Sequence, residues 1–339
     1  MEPADTLRVI DFGSVSPLRS QTLWHAAARG VSDGSPPTLS FCRPNGPYVG
    51  IGYHRRLAEI DLDWCSRRNV PVYRRMVGGG PVYLDSGQFF FQISLPLSSV
   101  PPSRPKALRF LLEPAVEAFT SCGIEAHLDE RLEVTVGDRK ICGYGAGQIG
   151  DAVIVVGNLI ETFDHASAAA ILRTPSPTAR AELDRLVNRY IAATPADPDR
   201  FQRAAVEAYS DALGLRPEYG ALNETEHSHL AELDELFADP VWLQGQERPS
   251  RPGWQAKVKA GVWLFEASRD GTALTLGIDG DQILSAAVAD PDLNGQADEL
   301  AASLVGQPIE ALRSRLATAG RPGRRLGRLW ELAEPGRVG

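Results

Sequence analysis

The stretch richest in chemistry is Arg74-Arg75-Met76-Val77-Gly78-Gly79-Gly80-Pro81-Val82-Tyr83-Leu84-Asp85-Ser86-Gly87-Gln88. Three consecutive glycines lose much backbone entropy on folding. They suit a place where a ligand approaches the main chain, or where several N–H groups converge on an anion. The two arginines ahead of them could add charge-assisted, bidentate contacts to phosphate or carboxylate. The run is not a Walker A loop, since no Gly-Lys-Ser/Thr follows, and it does not fit G-x-G-x-x-G. On the glycines alone, a turn with solvated arginines is the competing reading. The second element is Lys140, beside the Gly137-Asp138 turn and followed by Gly143, Gly145 and Gly147. A substrate could lie against that glycine-rich backbone. A partly desolvated ammonium there could hold a carboxylate and then the charge that develops on an acyl oxygen. The plain alternative is a solvated lysine.

Positioning such groups takes a sheet. Strands are predicted at 7–12, 38–42, 48–53, 70–73 and 89–95, and helices at 20–31 and 61–68. Leu108, Leu111, Leu112, Ala115, Val116 and Phe119 keep helical spacing up to a stop at Gly123, with a kink or a restart expected at Pro114. Leu132, Val134 and Val136 alternate with polar residues, Gly137-Asp138 supplies a two-residue turn, and Arg139-Lys140-Ile141 opens a return strand. A strand at 152–160 and helices at 166–172, 179–191 and 198–213 follow; 215–224 reads as irregular and 230–237 as a short helix. A boundary near 238 divides the chain into domains 1–238 and 239–339. The second reads as a three-strand meander at 258–267, 272–278 and 282–288, then helices at 295–305 and 308–319. Strands followed by helices within one segment indicate α+β.

Composition excludes several classes. A chain of 339 residues suggests two domains. With 43% apolar and 23% charged residues it is an ordinary globular sequence, not a disordered, collagenous or disulfide-scaffold one. Thirty-five Lys+Arg against 43 Asp+Glu, a formal charge of −8, argue against nucleic acid as a partner. Cys42, Cys65, Cys122 and Cys142 have neither C-x-x-C spacing nor an adjacent His, as expected of reduced thiols in an intracellular protein. Cys142, two residues past Lys140, invites a thiol-acyl intermediate, but such a nucleophile needs a lowered pKa and usually a nearby base, so packing is the preferred reading. His54 either lines a substrate loop or is solvated; His227 and His229 lack further metal ligands. Trp24, Trp64, Trp242 and Trp263 read as core aromatics. The arginines of 321–328 read as a solvated tail, or as a docking strip for an acidic partner. The opening Met1-Glu2-Pro3-Ala4-Asp5 is acidic where a secretory signal is basic, and no apolar run approaches ~18–20 residues, so no membrane partner and a cytoplasmic location are expected.

In this order and at this spacing, the two motifs resemble the lipoate–protein ligase, octanoyltransferase and biotin ligase superfamily. The glycine segment is similar to its R-R-x-x-G-G-G-x-V-x-H-D-x-G-N signature, and Gly137 to Gly143 to its G-x-K-I-x-G element. Leu7-Arg8-Val9-Ile10 and Tyr48-Val49-Gly50-Ile51-Gly52 resemble supporting strands. Pro240-Val241-Trp242-Leu243-Gln244-Gly245, with the meander and helices after it, resembles the accessory C-terminal domain of bipartite lipoate ligases.

The resemblance implies an α+β fold: a mixed, largely antiparallel sheet flanked by helices, plus a small C-terminal α+β domain. It also implies a lipoate–protein ligase. Such an enzyme activates lipoate or octanoate with ATP and Mg2+ to an acyl-adenylate. It then passes the acyl group to a lysine of a lipoyl domain of a 2-oxoacid dehydrogenase, or of a glycine-cleavage H protein. Lys140 would be the catalytic residue, and Arg74, Arg75, Gly78, Gly79, Gly80, Val82, Tyr83, Asp85 and Gly143 would bind substrate and nucleotide; no metal ligand is assigned. The arginines of 321–328 would then face an acidic lipoyl domain. The sequence departs from the signature at Leu84 (His in the family) and Gln88 (Asn). It departs again at Glu130-Arg131, where the family has Asn-Asp, and at Val156-Gly157-Asn158-Leu159, where it has His-Gly-Thr-Leu. An arginine for an acid changes the local charge by about two units, unless Asp129 or Glu130 takes the acid's place. Two alternatives therefore stand beside the ligase: an ATP-independent octanoyl or lipoyl transferase between carrier proteins, and a non-catalytic relative that binds a lipoylated partner.

Overall fold

The computed structural model describes residues 5–246 and 253–333; the opening residues 1–4 lie outside them. Among the described residues two compact units separate, 5–172 with 191–246 and 173–190 with 253–333.

In the first unit β1 (Thr6–Val15) leads into α1 (Arg19–Ser32), β2 (Thr38–Pro44) and β3 (Tyr48–Ile51). Helix α2 (Leu62–Arg67), capped by the Asp61 carboxylate on the Trp64 N–H at 2.9 Å, precedes β4 (Val72–Arg74), β5 (Val82–Leu84) and β6 (Gln88–Pro96). Then come α3 (Arg104–Ser121), β7 (His127–Leu128), β8 (Val134–Val136), β9 (Arg139–Cys142), β10 (Tyr144–Ile149), β11 (Ala152–Ile160) and α4 (His165–Ala170). After α5 (Pro177–Tyr190), the chain continues in α6 (Pro198–Leu213), β12 (Arg216–Tyr219), α7 (Glu224–Ala238) and α8 (Pro240–Gln244).

The main sheet has the order β10-β11-β6-β2-β1-β12. Strand β1 pairs parallel with β2 and β12, while the β2-β6-β11-β10 side is antiparallel, so the sheet is mixed as expected. The period-two alternation of strands sets its two faces. Leu39 and Phe41 of β2 with Phe89, Phe91, Ile93 and Leu95 of β6 bury against Leu112 and Phe119 of α3 and Phe201 and Tyr209 of α6. A second cluster joins Ile10 of β1 to Leu23, Ala26 and Ala27 of α1 and Leu230, Leu233 and Phe237 of α7. Arg8 helps dock α7: its guanidinium reaches both oxygens of the buried Glu226 at 2.5 and 2.8 Å. Two three-stranded sheets, β4-β3-β5 and β7-β8-β9, carry the glycine run and the lysine hairpin.

Two local expectations change. Helix α3 does not restart at Pro114 but continues through it, because one lost N–H bond is outweighed by the burial of Leu111, Leu112, Ala115, Ala118 and Phe119 around it. The stretch 215–224 is not irregular: Arg216–Tyr219 adds to the edge of the sheet beside β1.

The second unit is an antiparallel sheet β13 (Trp254–Lys259), β14 (Val262–Arg269), β15 (Thr272–Asp279) and β16 (Gln282–Ala289). It has four strands rather than three, because Gly261, at φ +81°, turns the chain inside the predicted 258–267 strand. Helices α9 (Ala297–Leu304), α10 (Leu312–Ala317) and α11 (Gly320–Ala333) follow. The 321–328 segment is therefore helix, not tail: Leu326, Leu329 and Trp330 are buried, and Arg325 clamps Asp290, whose carboxyl it holds down at about 2. Helix α5 also belongs to this unit, with Ser176 donating to Glu266 at 2.6 Å and Ser285 to Glu182. The division thus differs from a single cut at 238: α5 joins the second unit, and α8 stays with the first. No described helix is long and apolar enough to cross a membrane.

Candidate active site

The glycine loop leaves β4 and is shaped from beneath by Arg75. Its Nε and Nη2 donate to the Gly78 carbonyl at 3.1 and 2.9 Å, and Nη2 also reaches the Gly80 carbonyl at 2.9 Å. Burial pulls this guanidinium down to about 10, so it is charged at neutral pH. Gly79 takes φ +105°, and a Cβ there would lie 2.5 Å from Arg75 Nη2. Among the described residues the N–H groups of Gly78, Gly79 and Gly80 meet no protein acceptor, while the carbonyls of Gly78 and Gly80 accept from Arg75. The loop therefore keeps three N–H donors unspent while Arg75 anchors two of its carbonyls, which makes it a candidate anion-binding nest.

The loop entrance is fixed by His25. Its Nε2 accepts from the Met76 N–H at 3.1 Å, and Nδ1 lies 2.6 Å from the Gln21 carbonyl. A carbonyl only accepts and an N–H only donates, so the ring is the Nδ1–H tautomer. Burial holds His25 down to about 3, with further lowering from Arg29 and Arg75, so it is neutral. Gly50 leaves space for Val82, Leu84 and Arg75 Nη1 to close over β3, at 3.3, 3.5 and 3.4 Å from where a Cβ would sit.

The lysine hairpin runs through Gly143 directly into β10. Its turn is at Gly137-Asp138, with Val136 opposite Arg139 and Thr135 opposite Lys140, and a bulge then sets Val134 opposite Cys142. Lys140 Nζ meets Glu133 Oε2 at 2.5 Å and stands 5.8 Å from the Tyr144 ring. The next residue, Gly145, passes the glycine loop: a Cβ on it would lie 3.3 Å from Val77 and 3.5 Å from the Gly78 carbonyl. Tyr144 and Gly145 thus join the two motifs at one end of β10.

The expected site residues separate into two groups. Gly78, Gly79, Gly80 and Lys140 come to this end of β10, with Arg75 below the loop, Val82 exposed beside it and Tyr83 half-buried against Trp64. Three others serve different ends. Arg74 departs from a ligand role: it is 2% exposed and its guanidinium donates to the carbonyls of Gly52, Tyr53, Arg55, Trp242, Leu243 and Gln244. A buried guanidinium needs that many acceptors, and the carbonyls at the end of α8 supply half of them. The Gly143 N–H is spent on Asn158 Oδ1 at 2.7 Å. Asp85, pushed up by burial, accepts locally from the Gly87 N–H at 2.9 Å.

Two residues of this region, Glu133 and His25, escaped the sequence reading. Glu133 was legible from register, since counting back from the turn puts Glu133 and Thr135 on the face of Lys140. His25 carried no sequence signal. Two departures that the sequence did show, Gln88 and Asn158, are bonded to each other: Asn158 Nδ2 donates to Gln88 Oε1 at 2.6 Å. The two acids nearest the signature's missing one are placed differently. Asp129 Oδ1 accepts from the N–H groups of Arg131 and Glu133 at 2.9 and 2.8 Å, and Glu130 is exposed.

Cys142 is fully buried in the sheet core, and burial pushes its thiol up to about 12. Cys42, likewise buried, rises to about 12 and Cys65 to about 11; Cys122 is also raised. Burial thus works against the thiolate form at each of the four. Among the described residues no three His, Cys, Asp or Glu side chains cluster as metal ligands.

A mixed sheet thus brings a glycine-rich loop and a lysine hairpin together at one end of β10. The model of the lipoyl protein ligase A/B catalytic domain matches residues 17–191, and the chain belongs to that family. It is 25% identical over 268 residues to octanoyltransferase LipM of Kyrpidia tusciae, covering 70% of this chain and 98% of the relative. The structure of a bipartite lipoate protein ligase from Thermoplasma acidophilum, studied with its E2 lipoyl domain, matches with a TM-score of 0.64 at 23% identity, over 74% of this chain and 99% of that one. A lipoate-protein ligase A bound with ATP matches with a TM-score of 0.61 at 22% identity, over 71% and 99%.

Proposed function

We propose that the protein is an ATP-dependent lipoate–protein ligase, which converts lipoate or octanoate to its acyl-adenylate and transfers the acyl group to a lysine of a lipoyl domain or H protein. The observation that carries this reading is the pairing of an anion nest at Gly78–Gly80 with a lysine on the neighbouring hairpin, while burial works against a thiolate at Cys142. The nest N–H groups would cradle the phosphate. Lys140 would hold the acyl carboxylate for attack on the α-phosphate, and later steady the carbonyl oxygen when the acceptor amine attacks. Arg75 supports this by fixing the loop rather than by touching substrate. Magnesium would accompany the triphosphate; the described residues offer no ligand cluster for it, and no step is assigned to it.

One observation favours a second reading. Arg131 stands where the family carries an acid, and octanoyltransferases are among the relatives, so ATP-independent transfer from an octanoyl or lipoyl carrier protein is the alternative. A thiol intermediate on Cys142 finds no support in its burial. The test is the intact mass of an apo lipoyl domain incubated with the protein, lipoate or octanoate, and Mg-ATP, beside no-ATP, octanoyl-carrier, Lys140→Ala and Cys142→Ser reactions. The ligase predicts an ATP-dependent gain of one acyl group, lost in Lys140→Ala and kept in Cys142→Ser. Gain only from the octanoyl carrier would establish the transferase, and no gain from any donor would remove both.

A further inference from the structure

The Lys140 ammonium already has a carboxylate partner inside the protein. Glu133 Oε2 lies 2.5 Å from Nζ, and the two side chains are 5% and 15% exposed. Both are fixed by the hairpin: the Ala192 N–H donates to the Lys140 carbonyl at 2.9 Å, and the Glu133 N–H donates to Asp129 Oδ1 at 2.8 Å. An ammonium has three donors and no acceptor, so it can serve a second oxygen while it keeps Glu133. A neutral acyl carbonyl asks no more than that. A free carboxylate also brings a negative charge up to Glu133 in a half-desolvated place, where like charges repel strongly.

We propose that Glu133 is a specificity-determining residue of the acyl-head subsite, which competes with free carboxylates for Lys140 and so favours acyl groups whose carbonyl is uncharged. The inference rests on the reading of Lys140 as the acyl-head residue. In a ligase it loosens the hold on the free acid without loosening the hold on the activated acyl group, so the substrate complex is not a trap. In a transferase it favours the neutral thioester over the free acid.

The experiment compares the binding of octanoate and of its neutral isostere octanamide to the full chain by titration calorimetry, in wild type, Glu133→Gln, Glu133→Asp and Lys140→Gln. Glu133→Gln should raise octanoate affinity about tenfold or more and leave octanamide within about twofold. Glu133→Asp, one methylene shorter, draws its charge back from Nζ and should raise the octanoate-to-octanamide ratio part of the way. Lys140→Gln, combined with Glu133→Gln, should abolish the gain. An unchanged ratio in both Glu133 variants overturns the proposal, and where Glu133→Gln does not fold, the Asp variant decides alone. If octanoate binding depends on Lys140 but not on residue 133, only this inference falls. If no variant binds either ligand, the acyl-site reading falls and takes the inference with it.

Discussion

The glycine loop and the lysine hairpin meet the same strand, β10, but they use their positive charges in opposite ways. In the loop, Arg75 donates to the carbonyls of Gly78 and Gly80, and Arg74 donates to six further carbonyls. Carbonyl oxygens belong to the main chain and cannot rotate away, so these two cations are built into the scaffold. In the hairpin, Lys140 faces the carboxylate of Glu133, a side-chain partner that can be displaced or shared. One region spends its charge on shape and offers neutral N–H donors to a ligand; the other keeps its charge exchangeable. Basic residues beside glycines are thus of two physical kinds, and the nature of the acceptor tells them apart.

The sharpest way to break this comparison is to exchange the two cations for apolar side chains of similar length. Arg75→Met takes the donors from the half-buried carbonyls of Gly78 and Gly80 and should cost about 2–3 kcal/mol of stability in urea denaturation. Lys140→Met should abolish acyl transfer, and because it removes the ammonium facing the largely buried Glu133 carboxylate it should also cost about 3 kcal/mol, so activity rather than stability separates the two variants. Should Arg75→Met fold as stably as wild type while losing only substrate affinity, Arg75 is a ligand residue and the distinction fails.

A smaller effect separates neighbours within the loop. Gly79→Ala places a Cβ 2.5 Å from Arg75 Nη2 on backbone at φ +105°, so about 2–3 kcal/mol of stability should be lost. Gly78→Ala, whose Cβ would find only the Ala146 carbonyl at 4.0 Å, should stay within about 1 kcal/mol. Equal losses by thermal unfolding would show that the loop is not held by Arg75.

Acid sharpens the role of His25. Its pKa is held down to about 3, against an ordinary 6.5 in the unfolded chain, so the unfolded state binds the extra proton between those values. Stability therefore falls as the pH drops below 6.5, by about 2 kcal/mol between pH 6.5 and 5 from this residue alone. Denaturant midpoints of wild type and His25→Gln over that range should diverge, with the variant showing the shallower loss. Parallel curves would mean that His25 takes a proton in the folded protein and does not hold Met76 as a neutral acceptor.

The pattern of what the residues disclosed follows the same physics. Local, periodic signals were readable: the Gly137-Asp138 turn, the 152–160 strand and the 198–213 helix reappear with little change. The mixed sheet and the glycine–lysine pairing came through resemblance, since strand order depends on distant partners such as β1 with β12. Features that depend on tertiary partners stayed hidden. Helix α11 looked like a basic tail because only the packed structure shows Arg325 meeting Asp290 and Trp330 buried. Arg74 looked like a ligand cation because the carbonyls it serves come from residues 52–55 and from α8, far along the chain.

The signature departures at 88 and 158 offer the finest test, because the structure couples them. Gln88 Oε1 accepts from Asn158 Nδ2 at 2.6 Å, and Asn158 Oδ1 accepts from the Gly143 N–H at 2.7 Å, with Gln88 1% and Asn158 5% exposed. Asn158→Thr takes the amide from both Gln88 and Gly143. Gln88→Asn draws its oxygen back by one methylene and strands the Asn158 NH2. Each change should cost about 1–2 kcal/mol, since a buried polar group loses its partner. Made together they restore the family's own pair, and the double variant should be about 1 kcal/mol more stable than the sum of the singles requires. The readout is a double-mutant cycle in urea, with KM for the acyl substrate beside it, because Gly143 continues the strand that carries Lys140. Strict additivity would make the two substitutions independent drift. A positive coupling would mean that the chain replaced one buried hydrogen-bonding pair with another and kept the main chain beside Lys140 where the family has it.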